Sequence, residues 1–226
     1  MYVAQIVAGT GVSVALKYLS QDEAGSPDIQ LIGLTSILIA GVLVLLVFWI
    51  HYRNVGSALL RQISLNTSSM PLGQGVRLVL VVLVLTHLFA WVYRSLFLPM
   101  IGHGGVIGGG SQMFSYVSET GSIPAMIAFL TLALCVGPVM EEVVFRGYLQ
   151  SSLSSKMPVW AALSVTSLVF MAGHSPVVLW PMYLVYSMAW GWVMVRTGSL
   201  WMAILIHVLS NLFYAVVGFA GWEILA

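Results

Sequence analysis

The apolar positions of this chain fall in long unbroken runs, not in the spaced stripes of a water-soluble helix. The run from Ile29 to Ile50 holds no charge and is rich in Leu, Ile and Val. At about 1.5 Å per residue it crosses a hydrocarbon core of roughly 30 Å. It ends in Trp49, His51, Tyr52 and Arg53, residue types that favour the membrane interface. A second run, Val76 to Phe97, is dense in Leu and Val and reads as strand by propensity. A lone strand in lipid would leave its backbone unpaired, so the segment is expected to be helical. Met1 to Leu19 is a weaker run, closed by Lys17, Asp22 and Glu23; with no basic residue before it and no small-residue cleavage site, it reads as a retained helix and not a signal peptide. Four more runs follow: Ile123 to about Gln150 with Pro138 inside it, Val159 to about Ala172, Val177 to Val195 with Pro181 near its start, and Leu200 to Phe219.

The pattern therefore predicts an all-α polytopic membrane bundle of about seven transmembrane helices, six to eight at the limits, forming a single membrane domain over residues 1–226. Arg53, Arg61, Arg77, Arg146, Lys156 and Arg196 gather at alternate loops, whereas Asp22, Glu23, Asp28 and Glu119 mark the others, which predicts a cytoplasmic N-terminus. Leu98 to Gly121 contains seven glycines without a GxGxxG arrangement and reads as an extracytoplasmic connector, with His103 at its surface.

Composition strengthens the membrane reading. Of 226 residues, 60% are hydrophobic and 7% are charged, against about a quarter charged in a soluble domain. Eight basic and seven acidic residues leave a net charge of +1, which provides no basic footprint for nucleic acid. The single cysteine, Cys135, excludes an intramolecular disulfide and a cysteine-rich metal site.

Ionisable groups inside apolar runs need partners or a function. His87 stands beside Thr86 in the Val76–Phe97 run and is read as an interhelical hydrogen bond. The stretch Gly137-Pro138-Val139-Met140-Glu141-Glu142-Val143-Val144-Phe145-Arg146-Gly147 differs, because two adjacent carboxylates follow a long apolar run. Adjacent helical residues point about 100° apart, so the two cannot share one role. Glu142 and Arg146 are a turn apart on one face and form a predicted ion pair. Glu141 is left free to serve as a general base. Phe170 and His174 are likewise a turn apart, as are His207 and Asn211, and Asn211 in an apolar span needs a hydrogen-bond partner.

These residue types suit amide hydrolysis. Glu141 and His174 could hold and deprotonate a water, while His207 and Asn211 donate to the oxyanion. Alternatively Glu141, His174 and His207 could hold zinc with a water in the fourth position. There is no HExxH and no GxSxG.

Glu141-Glu142-x-x-x-Arg146, Phe170-x-x-x-His174 and His207-x-x-x-Asn211, in this order on successive helices, resemble the three motifs of the type II CAAX prenyl endopeptidases and the bacteriocin-processing membrane proteins grouped with them as the CPBP or Abi family. The resemblance covers residues 123–219, which become the expected catalytic core. It implies a helical bundle around a water-filled cavity, with Glu141 activating water beside His174, His207 and Asn211 forming the oxyanion site, and Arg146 holding Glu142. A metal-free mechanism is favoured, with zinc as the alternative. The implied partners are the lipid bilayer and a membrane-associated peptide or lipidated protein substrate. The implied location is the cytoplasmic membrane of a prokaryote. A catalytically silent scaffold or bacteriocin-immunity protein is the competing reading, although Glu141, His174, His207 and Asn211 are all present. A proton-relaying transporter is a third, but no internal repeat supports it.

At 1.5 Å per residue one mismatch arises. Glu141 lies roughly 13 Å from a helix end at Gln150, and His174 lies roughly 22 Å beyond Val159.

Overall fold

The computed structural model of the chain describes residues 70–174 and 176–220. The expected helices Met1–Leu19 and Ile29–Ile50, with His51, Arg53 and Arg61, lie outside the described residues, as does Ser175 beside the second motif. What is described is entirely helical: α1 Leu72–Met100, α2 Gly109–Thr120, α3 Ile123–Ser154, α4 Val159–Ala172, α5 Val177–Thr197 and α6 Leu200–Phe219.

Each boundary has a local cause. Pro71 and Pro158 stand just before α1 and α4, where a missing N–H is harmless. The Ser122 hydroxyl caps α3 by accepting from the Ala125 N–H at 3.4 Å. Gly121 and Gly198 take positive φ (62° and 65°) to end α2 and α5, a conformation that favours glycine. Gly198 thereby turns α5 into α6 within two residues.

The expectation of about seven membrane crossings, six to eight, requires correction. Among the described residues four helices are long and apolar enough to span a bilayer: α1, α3, α5 and α6. Helix α4 has the predicted bounds, but its 14 residues reach only about 21 Å, short of a 30 Å core. A continuous apolar run was therefore not sufficient to make a crossing. The Leu98–Gly121 stretch is also more ordered than a connector. It contains α2, whose Phe114 and Val117 pack on Ala125, Ala128 and Phe129 of α3. Phe114 comes so close to α6 that a Cβ on Gly218 would lie 2.7 Å from its ring.

Cross-contacts fix the directions of the helices. Arg146 and Gln150 of α3 meet Ser187 and Gly191 of α5 in the same order, so these two run parallel. Gly75 faces Met202 and His87 reaches Ser210, so α1 and α6 are parallel as well. Helix α6 runs against α3, since Asn211 meets Ala133 and His207 meets Glu142. The core lies between α1, α4, α5 and α6 around Val79, Phe170, Tyr186, Trp190 and Ile206. Leu80, Val81, Val84, Leu85 and Leu88 of α1 are exposed. An apolar outer face around a partly polar interior is the arrangement of an integral membrane bundle.

Three stretches are π-helical: Tyr93–Phe97 in α1, and Leu132–Val136 and Val143–Gln150 in α3. Such widened turns often occur at functional sites. The two in α3 flank the paired carboxylates.

The mismatch in level closes at the helix ends. Helix α3 continues to Ser154, which puts Glu141 about 20 Å from its end. Helix α6 begins inside the bundle, with Leu200, Ala203 and Ile204 packed against Val139 and Val143.

Candidate active site

The predicted Glu142–Arg146 pair is present. Arg146 Nη1 lies 3.2 Å from Glu142 Oε1, and both side chains are 0% exposed. The guanidinium is tied to α5 as well: Nη2 donates to the Ser187 hydroxyl at 2.8 Å and to the Ser187 carbonyl at 3.0 Å. Its Cζ lies over the Phe170 ring, 4.7 Å from the centroid, and 5.7 Å from that of Trp190. Burying a charge is tolerable only with this degree of compensation.

His207 brings α6 to the same carboxylate. Its Nδ1 lies 2.8 Å from Glu142 Oε1. The other nitrogen, Nε2, faces Glu141 Oε2 at 3.9 Å. With Nδ1–H donating to Glu142, the neutral ring turns the Nε2 lone pair toward Glu141. His207 is thus placed between the two adjacent glutamates. The 3.9 Å gap is too long for a direct hydrogen bond, yet one water could lie within about 2.8 Å of both atoms.

Glu141 differs from its neighbour. Its side chain is 28% exposed, and among the described residues it makes no hydrogen bond shorter than its approach to His207. The sequence argument that the two carboxylates face different directions thus holds in the fold.

His174 sits just past α4, where Gly173 ends the helix. Its Nδ1 lies 2.8 Å from the Phe170 carbonyl, which can only accept, so Nδ1 carries a proton, and in the neutral ring the lone pair lies on Nε2. Phe170 stacks on the ring at 4.4 Å. The same Phe170 approaches the His207 ring edge-on at 6.3 Å, so it borders both histidines. No ion pair joins His174 to Glu141 or Glu142.

Asn211 has found the partner it needs. Its Nδ2 donates to the Ala133 carbonyl at 2.8 Å. That carbonyl is an orphan of the π-turn: the Gly137 N–H goes to Leu132 instead, and the next residue, Pro138, has no N–H to give. One N–H and the Oδ1 of Asn211 remain for other work. His87 forms the expected interhelical bond. Its Nδ1 donates to the Leu83 carbonyl at 2.8 Å, and Ser210 donates to Nε2 at 3.3 Å.

The fold therefore gathers Glu141, Glu142, Arg146, Phe170 and His207 directly, with His174 against Phe170 and Asn211 one turn beyond His207. Zinc would need Glu141, His174 and His207 to converge. Among the described residues no three His, Cys, Asp or Glu side chains are grouped to hold an ion. The donor set does not fit a metal in this arrangement.

Sequence reasoning missed the contribution of α5. Ser187 anchors Arg146, and the Gly191 carbonyl accepts from Gln150 Nε2 at 3.2 Å. A Cβ on Gly191 would lie 2.5 Å from Gln150 Oε1 and would also strike Leu163. The signal was present as two small residues four apart, the spacing that lets membrane helices approach closely.

Residues 123–213 match the family described as type II CAAX prenyl endopeptidase, Rce1-like. Among curated proteins, one of Bacillus subtilis (strain 168) named as a candidate membrane peptidase, YdiL, is 22% identical over 133 residues, which is 56% of this chain. The match spans about half of that relative, 54% of its length. No solved structure matches.

Proposed function

Since residues 123–213 belong to the Rce1-like type II CAAX prenyl endopeptidase family, we propose that the protein is an intramembrane endopeptidase that hydrolyses membrane-associated peptides or prenylated-type C-termini. The observation that supports this most is the placement of His207 between a locked Glu142 at 2.8 Å and a half-open Glu141 at 3.9 Å.

In this reading Glu141 is the general base. It takes a proton from a water lying between its carboxylate and His207 Nε2, and that water attacks the peptide carbonyl. His174 is read as a third group toward the water through its Nε2, although no ion pair joins it to Glu141 in the fold. The proton passes to the leaving amine as the C–N bond breaks, so the products are a carboxylate and an amine. Before that proton reaches the amine, Glu141 hands it to His207 Nε2, which with the remaining Asn211 N–H then donates to the oxyanion. Glu142 keeps the His207 ring in register, as the buried acid does in a serine-protease triad. Arg146 holds Glu142 in turn.

We place the protein in the cytoplasmic membrane of a prokaryote. Arg77 near the start of α1, Lys156 between α3 and α4, and Arg196 at the end of α5 share one end of the bundle, which the positive-inside rule makes cytoplasmic.

The test uses purified protein in proteoliposomes with two reporters: a farnesylated C-terminal peptide and an unmodified hydrophobic peptide. The proposal expects cleavage of at least one, lost in Glu141→Gln and in His207→Leu. Cleavage by Glu141→Gln at the parental rate would refute the assignment. A folded parental protein that cuts neither reporter, nor any peptide of its own membrane, would favour the silent scaffold.

A further inference from the structure

Helix α5 carries none of the motif residues, yet it touches both histidines. Tyr183 lies over the His174 ring, centroids 4.6 Å apart and planes 35° apart. Trp190 lies over the His207 ring at 4.0 Å and 28°. The two aromatics are seven residues apart, two helical turns, and so share one face of α5. Ser187, the anchor of Arg146, lies between them on the same helix.

Each histidine is held in the same way. One ring nitrogen is fixed by a hydrogen bond: His174 Nδ1 to the Phe170 carbonyl, His207 Nδ1 to Glu142. That bond leaves the ring free to pivot about its own axis. An aromatic plane on the flat face removes the pivot. For His174 the clamp has two sides, Phe170 at 4.4 Å and Tyr183 at 4.6 Å. For His207, Trp190 takes the flat face while Phe170 meets it edge-on at 6.3 Å.

The aromatic face of α5 is itself packed in place. Trp190 is 3% exposed and stacks on Tyr186 at 5.7 Å, whose hydroxyl is 2.6 Å from that of Tyr214. At the other end the Tyr183 hydroxyl meets the backbone of the α1–α2 loop so closely that a Cβ on Gly108 would lie 2.6 Å from it.

We infer that Tyr183 and Trp190 of α5 are positioning residues that set the ring planes of His174 and His207, one aromatic to each histidine. The inference rests on the reading of these histidines as working groups of the endopeptidase. Neither aromatic is given a chemical step.

The test is solid-state NMR of ¹⁵N-histidine-labelled full-length protein in proteoliposomes. The chain has five histidines, so single substitutions assign the signals. The expected parental spectrum shows His174 and His207 each fixed with a protonated Nδ1. Tyr183→Leu is expected to broaden or split the His174 signals and leave His207 unchanged, and Tyr183→Phe to restore them. Trp190→Leu is expected to do the converse, with rescue by Trp190→Phe. Unchanged His174 signals in Tyr183→Leu would overturn the inference, as would equal disturbance of both histidines. If buried Trp190→Leu fails to fold, the half-buried Tyr183 pair decides alone. The measurement needs no substrate, so it stands apart from the endopeptidase proposal. If a reporter is cleaved, Tyr183→Leu is expected to lower kcat on the order of 10²-fold with KM unchanged.

Discussion

Two neighbouring carboxylates on one helix have opposite surroundings. Glu142 is fully buried, paired with Arg146 at 3.2 Å and with His207 at 2.8 Å. Glu141 is 28% exposed and has only the 3.9 Å approach of His207. The contrast follows from helix geometry, since adjacent residues point about 100° apart. One acid faces α5 and α6, the other faces the partly open side. The difference separates holding from reacting. A carboxylate tied to a cation and an imidazole is poorly available as a base, whereas an untied one beside a histidine nitrogen is free to accept a proton.

Changes on either side of this contrast should have different consequences. Replacing Glu141 by Gln is expected to lower cleavage by about 10²–10⁴-fold, the usual contribution of a general base, with no loss of folded protein in a reconstituted reporter assay. Arg146→Leu strikes the holding side. It leaves the buried Glu142 without its guanidinium countercharge and held only by His207 at 2.8 Å, and denaturant unfolding in mixed micelles is expected to show a loss of about 3–5 kcal/mol.

Smaller effects sharpen the same boundary. Ser187→Ala removes the hydroxyl that accepts from Arg146 but leaves the Ser187 carbonyl and Glu142 in place. The expected loss is about 1.5–3 kcal/mol, the range for a hydrogen bond to a charged group, read by the same unfolding assay. Gly191→Ala forces a methyl against Gln150 and Leu163. It should destabilise by about 1–3 kcal/mol through overpacking, with cleavage per folded molecule nearly unchanged, because Gly191 touches neither histidine.

Much of this was legible in the residues. Val159–Ala172 and Leu200–Phe219 have the bounds that proline, glycine and hydropathy imply. The one-turn spacing of Glu142 and Arg146 gave their pair, and the polarity of Asn211 in an apolar span required a partner. The identity of that partner was not legible. Ala133 becomes an orphan acceptor only because Leu132–Val136 adopts a π-turn ahead of Pro138, and a π-turn has no sequence signature comparable to a cap.

The number of crossings was misjudged for a related reason. Hydropathy registers how apolar a run is, but α4 falls short by length, about 21 Å against 30 Å. Helix α2 was missed because its glycine-rich start and polar body lack the apolar periodicity that marks a helix. The role of α5 was hidden as well. Tyr183 and Trp190 in an apolar helix look the same whether they face lipid or a histidine, and only the packing distinguishes the two.

The division of labour between the two acids is tested most directly by the unfolding midpoints of Glu141→Gln and Glu142→Gln, measured side by side with the parent in one lipid–detergent mixture. Glu142→Gln strands the buried Arg146 charge and is expected to lower the midpoint by about 6–20 °C, while Glu141→Gln leaves it unchanged. Equal drops in the two variants, or a drop in Glu141→Gln alone, would contradict the account.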